Sequence, residues 1–134
     1  MPRYMLDTDI CSYVMKRSHP ALLERLRQTL VNDVCISIIT KAELLFGVEI
    51  SPRRQQDEAA LNAFLTYVES LPLPDHAAGH YAEIRADLKT SDRMIGGNDL
   101  FIAAHARCLG LTLVTNNTQE FGRVRDLAVE NWVD

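Results

Sequence analysis

Long apolar runs are missing from this chain of 134 residues, and so is the basic-then-apolar opening of a secretory leader. Neither a membrane span nor a signal peptide is expected, and a cytoplasmic protein is. Cysteine is scarce: Cys11, Cys35 and Cys108 stand far apart in apolar segments. That odd number suits reduced, buried thiols and argues against a disulfide framework or a zinc site. No HExxH stretch, internal repeat, low-complexity tract or linker occurs. A basic excess is also lacking, for the net charge is -4, whereas proteins that grip phosphates usually carry a basic footprint. That exclusion weakens if several acids are gathered in one metal site. Lys16, Arg17, Lys41, Arg85, Lys89 and Arg93 would then be left to form a basic rim.

What is present is enough apolar material, 47% of residues, for a single domain over residues 1–134 with one core. The chain is organised around Arg3-Tyr4-Met5-Leu6 running into Asp7-Thr8-Asp9, which reads as a buried strand delivering a carboxylate to a sheet edge. A helix follows over Ile10–Lys16, with Thr8 or Asp9 as its N-cap. Pro20 opens a second helix, with Leu22, Leu23, Leu26 and Leu30 at helical spacing. Val34–Ile39 is β-rich and predicts a second buried strand. Thr40 starts a helix running to Val48, and a polar connection then leads into another that carries Leu61, Phe64 and Val68. Leu71–Pro74 predicts a short third strand, placed at an edge because proline cannot donate to a ladder. Asp75 begins a helix reaching Leu88. Asn98-Asp99 caps a small-residue helix that Gly110 ends. Leu111–Thr115 is the fourth strand, followed by the polar turn 116–121, and residues 127–132 suggest a fifth, at an edge. Strands alternating with helices predict an α/β fold: a mainly parallel sheet of four to five strands flanked by helices on both faces.

Each acid in this pattern has an ordinary explanation. Asp7 or Asp9 can cap the first helix; Thr40-Lys41-Ala42-Glu43 matches a capping box; Asp99 sits in a first helical turn, where negative charge is favoured; Glu120 can be a solvated charge. Together they mean more. Asp7, Glu43 and Glu120 follow the first, second and fourth strands, so all fall at one carboxyl edge, where open α/β sheets bind ligands. Asp99 joins them through packing. Carboxylates converging there without basic partners call for a divalent cation, and an all-oxygen donor set selects Mg²⁺ or Mn²⁺. Such an ion activates water and stabilises the leaving oxygen of a phosphodiester. Thr115 and Asn117, at the end of the fourth strand, either orient a water or phosphate or simply cap their own turn. His105 lies on the Asp99 helix at a spacing that does not require it to face the site, and is read as structural or surface.

Four stretches carry a resemblance over nearly the whole chain: Met5-Leu6-Asp7-Thr8-Asp9-Ile10; Ile39-Thr40-Lys41-Ala42-Glu43-Leu44 with Gly47; Ile95-Gly96-Gly97-Asn98-Asp99 with Ile102-Ala103-Ala104-His105-Ala106; and Leu113-Val114-Thr115-Asn116-Asn117-Thr118-Gln119-Glu120-Phe121. In this order and spacing the sequence resembles the PIN-domain ribonucleases, specifically the VapC-type toxins of bacterial toxin–antitoxin pairs. The resemblance implies a PIN-like fold with Asp7, Glu43 and Asp99 as metal-binding catalytic acids. It implies Glu120 as the fourth, although Asn117 stands where some relatives have Asp. Many relatives have Asn in place of Asp9, so Asp9 adds a charge beside the site, tuning metal affinity or capping the helix. The resemblance further implies Mg²⁺- or Mn²⁺-dependent endonucleolytic cleavage of structured RNA, commonly tRNA. It also implies a homodimeric toxin and inhibition by a cognate VapB-type antitoxin, through which alone operator DNA is bound.

Two rivals share the first motif. Asp7-Thr8-Asp9 after an apolar strand resembles the start of a haloacid-dehalogenase-type phosphatase, with Asp7 as nucleophile and Asp9 as acid/base. That family needs a later lysine before a final acidic pair, and nothing near Asp99 supplies one. A receiver-like, Mg²⁺-binding signalling module needs an acceptor Asp on a middle strand and a lysine near the C-terminus, whereas the last lysine here is Lys89.

Overall fold

The computed structural model describes residues 2–134. Its strands are short, and the first two in the chain are buried through their full thickness. In β1 (Tyr4–Leu6) every residue is buried: Tyr4 and Leu6 pack into one apolar layer and Met5 into the opposite one. The same alternation recurs in β2 (Val34–Ser37), where Val34 and Ile36 oppose Cys35. A strand apolar on both faces must be covered on both. One layer is built on helices α1 (Thr8–Lys16), α2 (Pro20–Arg27), α3 (Ile38–Glu49) and α4 (Arg54–Tyr67). The other rests on α5 (Ala77–Thr90) and α6 (Gly97–Leu109), whose Ala103, Ala104 and Ala106 bring its backbone close to the sheet.

With β3 (Glu69–Leu71), β4 (Thr112–Val114) and β5 (Val129–Glu130), the strands form one parallel sheet in the order β3-β2-β1-β4-β5. Chain order reverses between β1 and β4, which are paired from Tyr4↔Thr112 to Leu6↔Val114. The crevice at the carboxyl ends of such a pair is where this class of sheet binds ligands. The order also separates the chain from receiver domains, whose sheets run 2-1-3-4-5.

The expected architecture holds, with local differences. The strand expected over Val34–Ile39 stops at Ser37, whose hydroxyl accepts from the Ile39 amide and caps α3. The capping box at Thr40–Glu43 therefore does not form. The third strand lies at the sheet edge as expected but spans Glu69–Leu71, because the ladder ends where Pro72 would have to donate. Asp7 itself, not Thr8 or Asp9, caps α1. α5 starts at Ala77, after a turn at Asp75, and α6 at Gly97 with Gly96 as its cap. All three cysteines are free thiols, as expected, although Cys108 is only partly buried. No helix among the described residues is long and apolar enough to cross a membrane.

Candidate active site

Asp7 leaves β1 at the point where the sheet's order reverses, and both of its oxygens are fastened, one by a backbone amide and one by a side-chain hydroxyl. Oδ1 accepts from the Ile10 amide at 2.9 Å as the α1 cap, and Oδ2 accepts from the Thr115 hydroxyl, at the end of β4, at 2.5 Å. Thr115 in turn accepts from the Asn117 amide, so the carboxylate, β4 and the following turn form one rigid unit. Asp7 is only 5% exposed. Burial is the main reason its pKa rises from 3.8 to about 6, outweighing the two hydrogen bonds that lower it. With each oxygen already accepting a bond, Asp7 is poorly presented as a covalent nucleophile, and Asp9, its supposed acid/base partner in the phosphatase reading, is exposed on α1.

Glu43 reaches the same place from α3. Its Oε1 accepts from Thr8 at 2.5 Å and its Oε2 from the Asn98 amide at 3.3 Å, spanning α1 and α6. Thr8 also lies 3.3 Å from the buried Thr40 hydroxyl. Asp99, in the first turn of α6, is half-buried; desolvation first, then the charges of Glu43, Glu120 and Asp9, push its pKa to about 6. Asp7, Thr8, Asp9, Glu43, Asp99 and Asn117 line one recess of about 190 Å³, closed on one side by Phe121. Glu120 stands at its margin on α7 (Thr118–Phe121), acting on Asp99 through its field, while Asn117 lines the wall and caps α7.

Thr8 and Asn98, expected from the sequence only as caps, both orient Glu43. The Asp-Thr-Asp stretch was the available signal for Thr8, whereas Asn98 meets Glu43 only through tertiary packing. His105 is fully buried, its Nδ1 2.9 Å from the Ser37 hydroxyl, and burial lowers its pKa. It is a structural residue. Of the expected basic rim, Lys16 lines a groove that opens beside Glu43, while Arg85 bonds the Tyr81 hydroxyl on α5.

Among the described residues, none of Asp7, Asp9, Glu43, Asp99 or Glu120 forms an ion pair. Nor do any three or more Asp, Glu, His or Cys side chains among the described residues stand close enough together to hold an ion as they are placed. The acids instead ring an open recess. Crowded carboxylates, all-oxygen donors and room for water fit Mg²⁺ or Mn²⁺, which keep much of their hydration and need only one or two carboxylates.

Residues 4–127 match the PIN domain family. Ribonuclease VapC2 of Haemophilus influenzae is 44% identical, covering 99% of this chain and 100% of that protein. The tRNA(fMet)-specific endonuclease VapC of Shigella flexneri is 39% identical, covering 98% and 99% respectively. The crystal structure of DNA-bound VapBC from Salmonella typhimurium superposes with a TM-score of 0.93 at 36% identity, covering 98% of this chain and 99% of that one. A family match across nearly the full length, and relatives aligned end to end on the same fold, mean that this chain belongs to the PIN-domain family, within its VapC group.

Proposed function

We propose that this chain is the toxin of a type II toxin–antitoxin pair: a divalent-metal-dependent endoribonuclease of the cytoplasm that cuts structured RNA, tRNA above all, and so blocks translation. The observation that carries this reading is the convergence of Asp7, Glu43 and Asp99 on one recess at the sheet's reversal point without a cationic partner. Relatives named as ribonucleases and tRNA endonucleases, matched along their whole length, support it.

Asp7, Glu43 and Asp99, with Glu120 alongside, are the residues that would hold Mg²⁺ or Mn²⁺. The ion would supply Lewis-acid activation of water and neutralise charge at the phosphodiester. The chain's own part is preorganisation. Thr115 and the Ile10 amide fix Asp7, while Thr8 and Asn98 fix Glu43, so neither carboxylate needs to reorient when RNA arrives. Asn117 spends its side-chain oxygen on the Glu120 amide, which leaves its –NH₂ as a donor on the recess wall for a phosphate oxygen.

Partner contacts have apolar surface available. An opening of about 410 Å³ between α1, α2 and α4, lined by Val14, Leu26, Phe64 and Tyr67, suits a VapB-type antitoxin segment. The exposed Leu45, Phe46 and Ile50 on α3 suit a second copy of the chain. Operator DNA would be reached through the antitoxin.

The test is cleavage of a bacterial tRNA pool by the antitoxin-free chain with Mg²⁺ or Mn²⁺, beside EDTA and Asp7→Asn controls. Discrete cuts that need both the metal and Asp7 are expected. Intact RNA from a folded, metal-binding protein would overturn the proposal.

A further inference from the structure

A groove of about 600 Å³ opens directly off the acidic recess, sharing Thr8 and Glu43 with it. Three helices build it by simple periodicity. α1 presents Thr8, Ser12 and Lys16 at i, i+4 and i+8, and α3 presents Glu43 and Gly47 at i and i+4. The third wall is α4 and the residue that leads into it, presenting Arg53, Gln56 and the acid Asp57. From Thr8 to Lys16 the helical rise alone is about 12 Å, so the groove carries chain well beyond a single phosphate.

We propose that this groove is the track on which single-stranded RNA lies beside the scissile phosphate, with Lys16 and Arg53 holding its backbone and Gly47 keeping the floor clear. The inference rests on the ribonuclease reading above and deepens it.

Three observations support it. First, the cations are available. Among the described residues Lys16 has no ion-pair partner. Arg53 is 72% exposed and meets Asp57 only at 3.8 Å, while the other Asp57 oxygen is bound by Ser51 at 2.5 Å. An exposed pair of that length gives way to a phosphate at little cost. Second, the floor is mixed. Partly exposed Met15, packed against the layer that holds the buried Leu44 and Leu61, offers apolar contact to a base face, and Ser12 and Gln56 offer hydrogen bonds to a base edge. Single strands, whose bases are unstacked, are bound through that combination.

Third, Gly47 leaves the groove wall without a side chain one turn from Glu43. It lies inside α3, where glycine weakens a helix relative to alanine. Its φ is not positive, and a Cβ built there meets nothing within 4 Å, so neither backbone conformation nor packing within the chain calls for it. Gly79 is equally open but does not line the groove, so the space at Gly47 is the one whose filling would obstruct a strand lying there.

The test pairs binding with cleavage. Anisotropy of a short fluorescein-labelled single-stranded RNA, with Mg²⁺ replaced by EDTA to keep it intact, is measured on the wild type and on Gly47→Leu, Lys16→Ala and Arg53→Ala. Cleavage of the tRNA pool is measured on the same proteins with Mg²⁺. Gly79→Leu is the control: it fills another open helical glycine, on α5 and away from the groove. Leucine favours helix over glycine, so Gly47→Leu should melt no lower than the wild type. It should nevertheless raise Kd and KM about tenfold or more, with kcat little changed. Each cation variant should lower the slope of log affinity against log salt by about 0.7, the single-strand increment per neutralised phosphate. Gly79→Leu should match the wild type in both assays.

Wild-type binding, KM and salt slope in Gly47→Leu and both cation variants would overturn the proposal. So would a loss confined to antitoxin binding, which would assign the groove to a protein partner. If the wild type binds the RNA, the variants do not, and nothing is cut, the track stands and the nuclease reading falls.

Discussion

Asp7 shows how far a single side chain has been committed to chemistry at the expense of stability. It sits between a helix amide and a strand hydroxyl, almost out of water, and burial lifts its pKa from 3.8 to about 6. In the unfolded chain it titrates near its ordinary value, so between about pH 4 and 6 the folded state holds a proton that the unfolded state has released. The contribution of Asp7 to the stability of the metal-free protein is therefore fullest below pH 4 and is lost as pH rises through 6. A shift of about two pKa units corresponds to about 3 kcal/mol at pH 7. Asp7→Asn keeps an oxygen for the Ile10 amide and offers an N–H to Thr115 without the buried charge. In metal-free urea unfolding this variant is expected to be more stable than the wild type at pH 7, by up to about 3 kcal/mol, and indistinguishable from it near pH 4. Asp7→Ala, which deletes the cap, should instead lose about 1 kcal/mol near pH 4. An Asp7→Asn protein no more stable than wild type at pH 7 would show that the buried charge is compensated within the fold.

At the scale of elements, the acids are placed by how α3, α6 and α7 begin and end. Ser37 caps α3 and also meets His105 on α6 at 2.9 Å, deep in the core. This polar tie holds together the two helices that carry Glu43 and Asp99. Ser37→Ala removes the cap and leaves both His105 nitrogens without partners, since Nε2 already has none. A loss of about 2–4 kcal/mol is expected in urea unfolding. Gly122, just past α7, is a packing glycine: a Cβ there would stand 2.5 Å from the Thr118 carbonyl oxygen. Gly122→Ala should cost about 1–3 kcal/mol by the same measurement and loosen the turn holding Asn117 and Glu120. These junctions are also where sequence and structure part company. The buried strands were legible because Tyr4–Leu6 and Val34–Ile36 are apolar without interruption. The end of β2 was not, because Ile38 and Ile39 continue the apolar run into the helix without a glycine or proline to mark the change. Thr40 and Glu43 offered a competing cap that forms only if Ser37 does not. Asp7, Glu43 and Glu120 were legible from their places after strands, and Asp99 only from its place at a helix start. The orienting contact of Asn98 with Glu43, and a groove whose walls come from three separate helices, exist only once those helices pack.

Over the whole molecule, the net charge of -4 becomes informative when its location is known. Asp7, Asp9, Glu43 and Asp99 share one recess with no ion pair among them, so their repulsion is a property of the folded state that the unfolded chain largely escapes. A divalent cation bound there should stabilise the fold by mass action, about 2.7 kcal/mol at a hundredfold excess over its Kd. The benefit must depend on pH, because the ion competes with protons for the same oxygens. Asp7 and Asp99 both hold protons up to about pH 6, so Mg²⁺ should leave the melting temperature unchanged near pH 4.5 and raise it progressively from pH 5.5 to 7.5. Up to about pH 6 the ionisation of Asp7 weakens the metal-free protein as pH rises, and bound metal should offset that loss. Asp7→Asn should flatten both profiles, because it removes the group that loses stability on ionising and a ligand that gains it on binding. Thermal melts of the antitoxin-free chain across this range, with Mg²⁺ or with EDTA, measure both effects together. A Mg²⁺ shift equally large at pH 4.5 and 7.5, or one that survives intact in Asp7→Asn, would place the ion elsewhere on the protein and leave the acidic recess without its proposed occupant.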